Sequence, residues 1–558
     1  MTTNPYVIVC TTLMLLWSPG VESKKLMFYY PMMSKSVLMT FVPLAKEMRN
    51  RGHEVTIVSP YVLGLSNISE ISCDKDELFP KVSEKASKTI LKGESIFQVY
   101  KIMMPVLETI IKESLTNDKM SQLLMDPTSE FDAVISDTSY INIAGVYLAH
   151  HFNASLVLYF TKMMSLPDMD DAMLQPHNPS YMPLPTLQYG TNLNFSERVI
   201  NVLFHWLYYL LNNWMGIHMI EDILDEVLPN KNPQNRPRIT ELIKSPSLSL
   251  SLGHTLILDG NRPTVPNFVQ IGMLNCHPLD YTQTMESKWR NIMDNAKNGV
   301  IFISFGTFLK SSEMLIEDRD IFINVISGLK ETVIWKWDSE YLEEAPSNLH
   351  VSKWLPQKEI LSHPNLRLFI THGGQASYQE ILCFQKPAVS HPSELSNAIM
   401  NSLNSSFLYI QLFMPIRSDQ FTNSNDGFRK GIGLVLPYKE LSQESFSSAL
   451  KTMLSDSIYK RNVEYWGSLI MDEKEHPMER AIWWLEYVMR HKPNKHLESP
   501  ASHLNYFQIR LMDVYGFLGL CLSIGIYVSY KILRVCCGFI LYCSRKLRMR
   551  DSSKRKVD

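Results

Sequence analysis

The feature that most constrains the fold is an alternation of apolar strands and amphipathic helices that occurs twice along the chain. The first cycle predicts a strand at Leu26–Tyr30, a helix over Val42–Arg51 that ends at Gly52, and a second strand at His53–Ser59. Strand, helix and strand in such close succession are the opening of a parallel sheet. The sequence therefore predicts an α/β fold.

A second cycle begins at Gly299–Thr307, an apolar strand that ends in small residues, and continues to further strands at Thr332–Lys336 and Leu366–Ile370. We therefore predict an N-terminal domain over 24–270, a linker over 271–290 and a C-terminal domain over 291–500. Two Rossmann-like domains enclose a cleft, and ligands bind beyond the carboxyl ends of such strands. No G-x-G-x-x-G motif follows a strand, which argues against a dinucleotide oxidoreductase.

Both ends of the chain carry apolar segments. Residues 1–23 have the layout of a secretory signal peptide, with a first core strand as the alternative. Residues 513–542 are long and apolar enough to span a bilayer. The tail over 543–558 is basic and, by the positive-inside rule, cytoplasmic, although a charge run by itself is usually a solvated face. The pattern predicts a single-pass type I membrane protein with its two domains in the lumen.

Composition supports two cores and excludes one class of partner. The 558 residues are 45% hydrophobic, enough for two domains, and a net charge of -2 with pI ≈ 6.8 disfavours nucleic-acid binding. N-glycosylation triplets occur in the predicted luminal part, at Asn67, Asn153, Asn194 and Asn404. The same part contains only Cys73, Cys276 and Cys383, whose spacing predicts neither a disulfide framework nor a metal site.

One segment of the second cycle groups residues suited to a nucleotide-sugar. The indole of Trp354 can stack on a planar base, and the Gln357 amide can pair with the edge of that base. Glu380 can accept hydrogen bonds from ribose hydroxyls. His372, Gly373 and Gly374 come where a strand turns into a helix, so main-chain N–H groups can face a diphosphate. Taken singly, Trp354 is more often a core aromatic, His372 a satisfied buried histidine, and the glycines a turn.

At their mutual spacing these residues resemble the donor-binding signature of the UDP-glycosyltransferases, and the anchored members form the UDP-glucuronosyltransferase superfamily of the endoplasmic reticulum. Supporting similarity extends to Arg51–Val55, Ser304–Thr307 and Ala481–Val488. The resemblance implies a GT-B fold and a UDP-sugar co-substrate, UDP-glucose or UDP-glucuronate, with no other cofactor and no metal. The donor contacts implied by the resemblance come from Ser304, Gly306, Thr307, Trp354, Gln357, His372, Gly374, Ser377 and Glu380.

Two further residues, Asp419 and Gln420, resemble the family pair that hydrogen-bonds the hydroxyls of the donor sugar. A carboxylate and an amide side by side suit adjacent hydroxyls. In the family, the equivalent of Pro387–Val389 runs almost directly into that pair, whereas residues 390–412 intervene here. We predict that this polar stretch is an insertion, either a surface loop or a retained intron. Because it separates two parts of one site, its path decides whether Asp419 and Gln420 reach the sugar.

The resemblance also implies a catalytic pair in the N-terminal domain, a histidine base oriented by an aspartate. Asp137, at the end of a predicted strand, matches the aspartate, with a helix N-cap as its structural alternative. Val37 occupies the histidine position and cannot accept a proton. General-base help is typically worth about 10² to 10⁴ in rate, so an alcohol acceptor is affected more than an amine.

The sequence thus predicts an inverting transferase of the endoplasmic reticulum membrane that conjugates a small lipophilic acceptor with a hexosyl or glucuronosyl group. A second hypothesis is a catalytically impaired relative that binds UDP-sugar or lipophile, or partners an active homologue. Homo- and hetero-oligomers are both left open.

Overall fold

The computed structural model describes residues 22–554 with gaps at 92–95, 140–141, 162–166, 185–186, 188, 190–191, 212–215, 228–235, 245, 258–261, 275, 277–283, 308–309, 340, 385–409 and 415–418. Most of the predicted signal peptide, 1–21, and most of the predicted insertion, 390–409, lie outside this part. The described residues form two compact units, one ending at Glu498 and the other beginning at Ser499.

The first sheet has seven parallel strands in the order β3-β2-β1-β4-β5-β6-β7. Its central strands β1, β4 and β5 are buried on both faces, which is why they are nearly continuous apolar runs. The strands are β1 (Lys25–Tyr29), β2 (Glu54–Ser59), β3 (Ser69–Ser72), β4 (Ala133–Ser136), β5 (Ser155–Phe160), β6 (Leu248–Ser251) and β7 (Phe268–Gln270).

The helices of this half cover both faces of the sheet. They are α1 (Lys35–Asn50), α2 (Leu78–Leu91), α3 (Ile96–Thr116), α4 (Asp118–Met125), α5 (Ala144–His151), α6 (Pro167–Met173), α7 (Phe195–Leu211), α8 (His218–Val227) and α9 (Ile239–Leu242). α1 begins seven residues before the predicted start at Val42. Pro43 lies inside the helix, where it removes one backbone hydrogen bond, and the buried side chains of Phe41 and Leu44 hold the helix against the core.

The second sheet has six parallel strands in the order β10-β9-β8-β11-β12-β13. The strands are β8 (Val300–Ser304), β9 (Thr332–Lys336), β10 (Leu349–Ser352), β11 (Leu366–Thr371), β12 (Ile410–Phe413) and β13 (Gly433–Val435). The helices in this part of the sequence are α10 (Ser287–Asp294), α11 (Ile316–Ser327), α12 (Gln357–Ser362), α13 (Gln375–Cys383), α14 (Asp419–Arg429), α15 (Gln443–Ser455), α16 (Ile458–Met471) and α17 (Pro477–Arg490).

Strand β12 corrects one boundary of the predicted insertion. The prediction placed residues up to Leu412 in a polar surface segment, but Ile410–Phe413 pairs with β11 on one side and β13 on the other. Leu412 is fully buried in the core of this sheet. The polar composition of the preceding residues concealed a short apolar run at the end of the segment, so its last residues do not belong to a surface loop.

Helix α17 lies in the sequence range predicted for the second domain, but it packs on the first sheet. Ala481, Ile482 and Leu485 are fully buried in the same core cluster as residues of β1 and α1. The Ser155 hydroxyl of β5 donates a hydrogen bond to the Val488 carbonyl at 3.1 Å. The chain therefore returns to its first half before it leaves the first unit.

The cysteines correct a second expectation. Cys276, in the predicted linker, forms a disulfide with Cys383 at the end of α13, with their Cα atoms 5.6 Å apart. Their sequence separation of 107 residues gave no sign of this pairing. Cys73 is a free buried thiol that donates to the Pro31 carbonyl.

The second unit contains α18 (Tyr506–Ile509) and α19 (Met512–Lys554). The stretch Met512–Lys546 of α19 has a mean hydropathy of 1.6, and it is the one described helix that is long and apolar enough to cross a membrane. It contains the predicted anchor, 513–542. The same helix continues into the basic tail as far as Lys554.

Candidate donor and acceptor sites

The predicted donor residues lie at the carboxyl edge of the second sheet. β8 ends at Ser304 and β11 ends at Thr371, so Gly306, Thr307 and His372 follow directly in the turns after these strands. α12 begins at Gln357, and the carboxyl ends of parallel strands share one edge. The fold therefore brings together residues that are separated by many positions in the sequence.

Gln357, Ser377 and Glu380 form a hydrogen-bonded cluster. The Gln357 Nε2 atom donates to Glu380 Oε2 at 2.6 Å and to the Ser377 Oγ atom at 3.2 Å. Ser377 and Glu380 are three residues apart on α13, which places them on the same face of the helix. Burial raises the pKa of Glu380, and the hydrogen bond from Gln357 opposes this change. The cluster holds an acidic group and an amide in fixed positions.

The His372 ring is wedged between two glycines. A Cβ atom on Gly306 would lie 2.8 Å from the ring Cε1 atom, and one on Gly374 would lie 2.5 Å from Nε2. Gly306 and Gly373 also have positive φ angles, +82° and +77°, which L side chains rarely adopt. Burial, together with the charge of Lys336, lowers the pKa of His372 to about 4. The imidazole is therefore neutral at neutral pH.

Several polar groups at this edge are buried without a hydrogen-bond partner. Within the described part of the chain, the Ser304 and Thr307 hydroxyls and the Gln375 amide nitrogen have none. Buried polar groups are normally hydrogen-bonded, so these three groups are available to bind a ligand at this edge. Gly374 is the N-cap of α13, whose first N–H groups favour an anion. These groups fit a diphosphate.

Trp354 is not a core aromatic, since its side chain is 62% exposed. The ammonium of Lys35, at the start of α1, lies 5.7 Å from the centroid of the Trp354 ring. An exposed indole in the loop before Gln357 has the accessibility that stacking on a base requires. The contact also joins the part of the chain around the first sheet to the part around the second, at the residue predicted to stack on the nucleotide base.

The predicted sugar-binding pair lies at the start of α14, which begins at Asp419 and packs against α13. Gln420 is buried. The Asn423 Nδ2 atom donates to the Gly373 carbonyl at 2.9 Å, and the Tyr378 hydroxyl of α13 donates to Asp426 at 2.7 Å. The first turn of α14 thus lies next to the His372–Gly374 turn, although residues 385–409 precede it.

On the acceptor side, Asp137 follows β4 and its carboxylate is engaged locally. Oδ1 accepts hydrogen bonds from the Ser139 backbone N–H, at 2.9 Å, and from the Ser139 hydroxyl. Oδ2 accepts from the Asn142 side chain at 3.1 Å. Asp137 therefore holds the turn that follows it, but it is not a helix N-cap, because the next helix, α5, begins at Ala144 and has Ile143 as its N-cap. Asp137 also contributes to raising the pKa of the Tyr30 hydroxyl, for which burial is the main cause.

Val37 lies in the first turn of α1, half-buried against the core of the first sheet. Its backbone N–H donates to the Ser34 carbonyl, and its side chain offers only van der Waals contact.

Sequence reasoning missed Lys336. This residue ends β9, is 9% exposed, and donates from Nζ to the Gly306 carbonyl at 2.8 Å and to Asp338 at 2.9 Å. It fixes the turn that carries Gly306 and adds positive charge near the diphosphate-compatible groups. Its position at the carboxyl end of a predicted strand was the signal that would have identified it.

The chain is similar to known proteins over most of its length. A family model described as UDP-glucoronosyl and UDP-glucosyl transferase matches residues 27–403 and 394–547. The human UDP-glucuronosyltransferase 2B15 is 26% identical over 537 residues, which cover 92% of each chain. UDP-glycosyltransferase UGT5 of Dactylopius coccus is 27% identical, with 93% of this chain and 94% of the relative covered.

Solved structures support the fold alone. The glycotransferase of kitacinnamycin has a TM-score of 0.54 at 15% identity, and the match covers 84% of this chain and 100% of that one. The calicheamicin glycosyltransferase CalG4 has a TM-score of 0.50 at 14% identity, covering 84% and 99%. The chain therefore belongs to the UDP-glucoronosyl and UDP-glucosyl transferase family, whose members transfer glycosyl groups from UDP-sugars, and it has a GT-B fold.

Proposed function

We propose that this protein transfers a hexosyl or glucuronosyl group from a UDP-sugar to a small lipophilic acceptor. The observation that carries the donor half of the proposal is the cluster of Gln357, Ser377 and Glu380 beside unpartnered Ser304 and Thr307 hydroxyls. Trp354 and Gln357 bind the base, Glu380 binds the ribose, and the turns at Gly306 and His372 bind the diphosphate. Asp419 and Gln420 bind the sugar hydroxyls.

In the proposed reaction the acceptor oxygen or nitrogen attacks the anomeric carbon as the bond to the diphosphate oxygen breaks. The configuration is inverted because the attack is a direct displacement. UDP leaves with the bonding electron pair, and the acceptor proton passes to solvent. Preorganised N–H groups of α13 and the charge of Lys336 stabilise the developing negative charge on the diphosphate.

The acceptor side determines which acceptors react. Val37 provides no base, so a nucleophile that attacks before it loses its proton, such as an amine, is favoured over an alcohol. Asp137 then acts on the acceptor electrostatically, without an intervening histidine. A lipophilic acceptor is inferred from the family and from the proposed membrane setting.

The proposed location is the endoplasmic reticulum membrane, with the first unit in the lumen and the basic tail in the cytoplasm. The apolar helix α19 and the Cys276–Cys383 disulfide support it, since disulfides persist in oxidising compartments. Cleavage of residues 1–23 and glycosylation at Asn67 or Asn153 are part of the same proposal.

A second candidate function follows from Val37: a catalytically impaired relative that binds UDP-sugar or lipophile, or that forms an oligomer with an active homologue. Such a relative would bind the donor but would not catalyse transfer. The two candidates share every donor residue and differ only on the acceptor side.

The test is transfer of radiolabelled glucose or glucuronate from the UDP-sugar to a panel of phenols, alcohols and amines, alongside UDP binding by calorimetry. Transfer to any acceptor supports the first candidate and excludes the impaired one. If the protein binds UDP but transfers sugar to no acceptor, and Val37→His restores transfer, the result supports the second candidate. Absence of UDP binding by the folded protein contradicts both.

A further inference from the structure

Four side chains of alternating charge form a closed ring where the part of the chain around the first sheet meets the part around the second. Glu84 and Lys88 lie one turn apart on α2, and Lys310 and Glu313 follow β8. Lys310 Nζ lies 2.6 Å from Glu84 Oε2 and 3.6 Å from Glu313 Oε1. Lys88 Nζ lies 2.9 Å from Glu84 Oε1 and 3.7 Å from Glu313 Oε1. Each ammonium thus contacts both carboxylates, and we call these four side chains the charge ring.

The two carboxylates of the charge ring have different surroundings. Hydrogen bonds from Lys310 and Lys88 lower the pKa of Glu84 to about 2. Glu313 is only 10% exposed, and its burial raises the pKa of this carboxyl against the opposing charges of the same two lysines. A nearly buried carboxylate is costly unless cations compensate it. Glu313 therefore depends on one lysine from its own segment and on one from α2.

A short series of hydrogen bonds connects the charge ring to the turn that carries Gly306. Lys310 is followed by Ser311, whose backbone N–H donates to Asp338 Oδ2 at 2.8 Å. Asp338 Oδ1 accepts from Lys336 Nζ at 2.9 Å, and the same ammonium donates to the Gly306 carbonyl at 2.8 Å. The position of Lys310 is therefore coupled to the turn that is proposed to bind the diphosphate.

We propose that the charge ring lets α2, which belongs to the first sheet, hold the diphosphate-binding turn after β8 in its binding conformation. Glu84 and Lys88 are then positioning residues for the donor, outside the set of residues that bind it. The inference rests on the proposed function. A turn that is already held in place loses less conformational freedom when a ligand binds, which increases affinity. Mismatched charges between α2 and the segment after β8 should therefore weaken UDP binding.

The experiment inverts the charge ring in parts and keeps the net charge of the full chain constant. The α2 inversion is Glu84→Lys/Lys88→Glu. It keeps the attraction within α2 but makes both contacts with the segment after β8 repulsive. The segment inversion, Lys310→Glu/Glu313→Lys, has the same effect from the other side. The full inversion combines all four substitutions and turns every contact of the ring back into an attraction.

Two measurements follow each variant: UDP affinity by calorimetry, and hydrogen–deuterium exchange of a peptide that contains Ser311. Each partial inversion is expected to weaken UDP binding about tenfold, because an exposed ion pair is worth a few-fold and two such contacts become repulsive. The exchange should become faster, and both effects should shrink at high salt. The full inversion should restore both values to within about twofold of the native protein.

The matched control is Glu444→Lys/Lys451→Glu, at two exposed positions of α15, and it should bind UDP as the native protein does. All variants are checked for cooperative unfolding at the native temperature. If a partial inversion lowers this temperature, Glu84→Gln/Lys88→Gln takes its place, because it removes the charges of α2 without adding repulsion. This variant should weaken UDP binding about threefold.

Two results would overturn the inference. One is native affinity and native exchange in the folded variants of α2 and of the segment after β8. The other is a full inversion that binds UDP no better than the partial ones, because the substituted positions would then act individually and not through paired charges. Both results leave UDP binding by the native protein intact. A folded native chain that does not bind UDP would instead refute the proposed function, and the inference with it.

Discussion

The donor and acceptor halves of the site differ in how completely they are built. On the donor side, side chains from α12 and α13 are joined by hydrogen bonds, and the unpartnered Ser304 and Thr307 hydroxyls fit a diphosphate. On the acceptor side, Asp137 bonds to its own turn, and Val37 only packs against the core. The residues proposed to bind the donor are therefore separate from those proposed to activate the acceptor.

The largest expected effect comes from restoring the missing base. Val37→His is expected to raise the transfer rate to phenols and alcohols by about 10² to 10⁴, because the imidazole takes the acceptor proton. UDP affinity is expected to stay unchanged, since Val37 belongs to the other sheet. The rate of the variant should fall as the pH drops below about 6.5, because the imidazole is then protonated, and the native protein should lack this acidic limb. Steady-state kinetics over pH check this result.

Val37→Ala is the control for this substitution and should bring no gain. Asp137→Asn, combined with Val37→His, should remove most of the gain, because the carboxylate can no longer stabilise the imidazolium. A Val37→His protein with native rates, or with equal rates with and without Asp137, would show that the two residues do not form a pair.

The second prediction concerns His372, which makes the donor half sensitive to acid. Its pKa is lowered to about 4, so the unfolded chain, with a value near 6.5, takes up the proton first as the pH falls. Stability contributed by the neutral ring is complete above pH 6.5 and declines until about pH 4. The free energy of unfolding falls by about 3 kcal/mol at most over this pH range.

The measurement is the free energy of unfolding at pH 7 and pH 4.5, with and without UDP. His372→Asn should flatten the dependence. UDP should reduce the loss in the native protein, because a bound diphosphate favours the imidazolium. An equally steep decline in His372→Asn would assign the acid sensitivity to other groups.

The sequence predicted much of the donor half because its residues lie at short, fixed spacings around strand ends. Trp354, Gln357, His372 and Glu380 belong to one continuous segment whose local structure follows from its turns and caps. The surface-loop interpretation was wrong for the last residues of the stretch because a strand of four residues, Ile410–Phe413, is too short for a periodic signal and lies behind a long polar stretch. Local sequence pattern therefore predicted those parts of the site whose residues are close together in the sequence.

The features that the sequence did not predict depend on contacts between residues far apart in the chain. Lys336 contributes through a contact with Gly306, thirty residues away, and the Cys276–Cys383 pairing crosses the second domain. The packing of α17 on the first sheet joins residues more than 400 positions apart in sequence. None of these contacts follows from local propensity, because each depends on how the finished sheets place their loops. Val37 was identified only by resemblance, since no physical property of a valine marks a missing histidine.

A third prediction tests the donor cluster itself. Glu380→Ala is expected to weaken UDP binding by about 10- to 100-fold, the value of one or two hydrogen bonds to a charged group. The change also leaves Gln357 without its closest acceptor. Glu359→Ala, on the neighbouring helix α12, is the matched control and should bind UDP as the native protein does. Calorimetric titration with UDP measures both, and equal affinities in the two variants would remove Glu380 from the site.

The smallest effect is expected from deletion of residues 390–409. The deletion keeps β12 and leaves Gln385–Val389 between Phe384 and Ile410, a usual length for a helix-to-strand connection. Because long surface loops add little to the free energy of folding, stability should change by less than about 1 kcal/mol and UDP affinity by about twofold at most. Leu412→Asp, which places a charge in the core beside β11, is the contrasting variant and should unfold the second domain at a much lower temperature. If the deletion abolished UDP binding while the protein stayed folded, residues 390–409 would be part of the donor half, and the clear division between a complete donor side and an incomplete acceptor side would no longer hold.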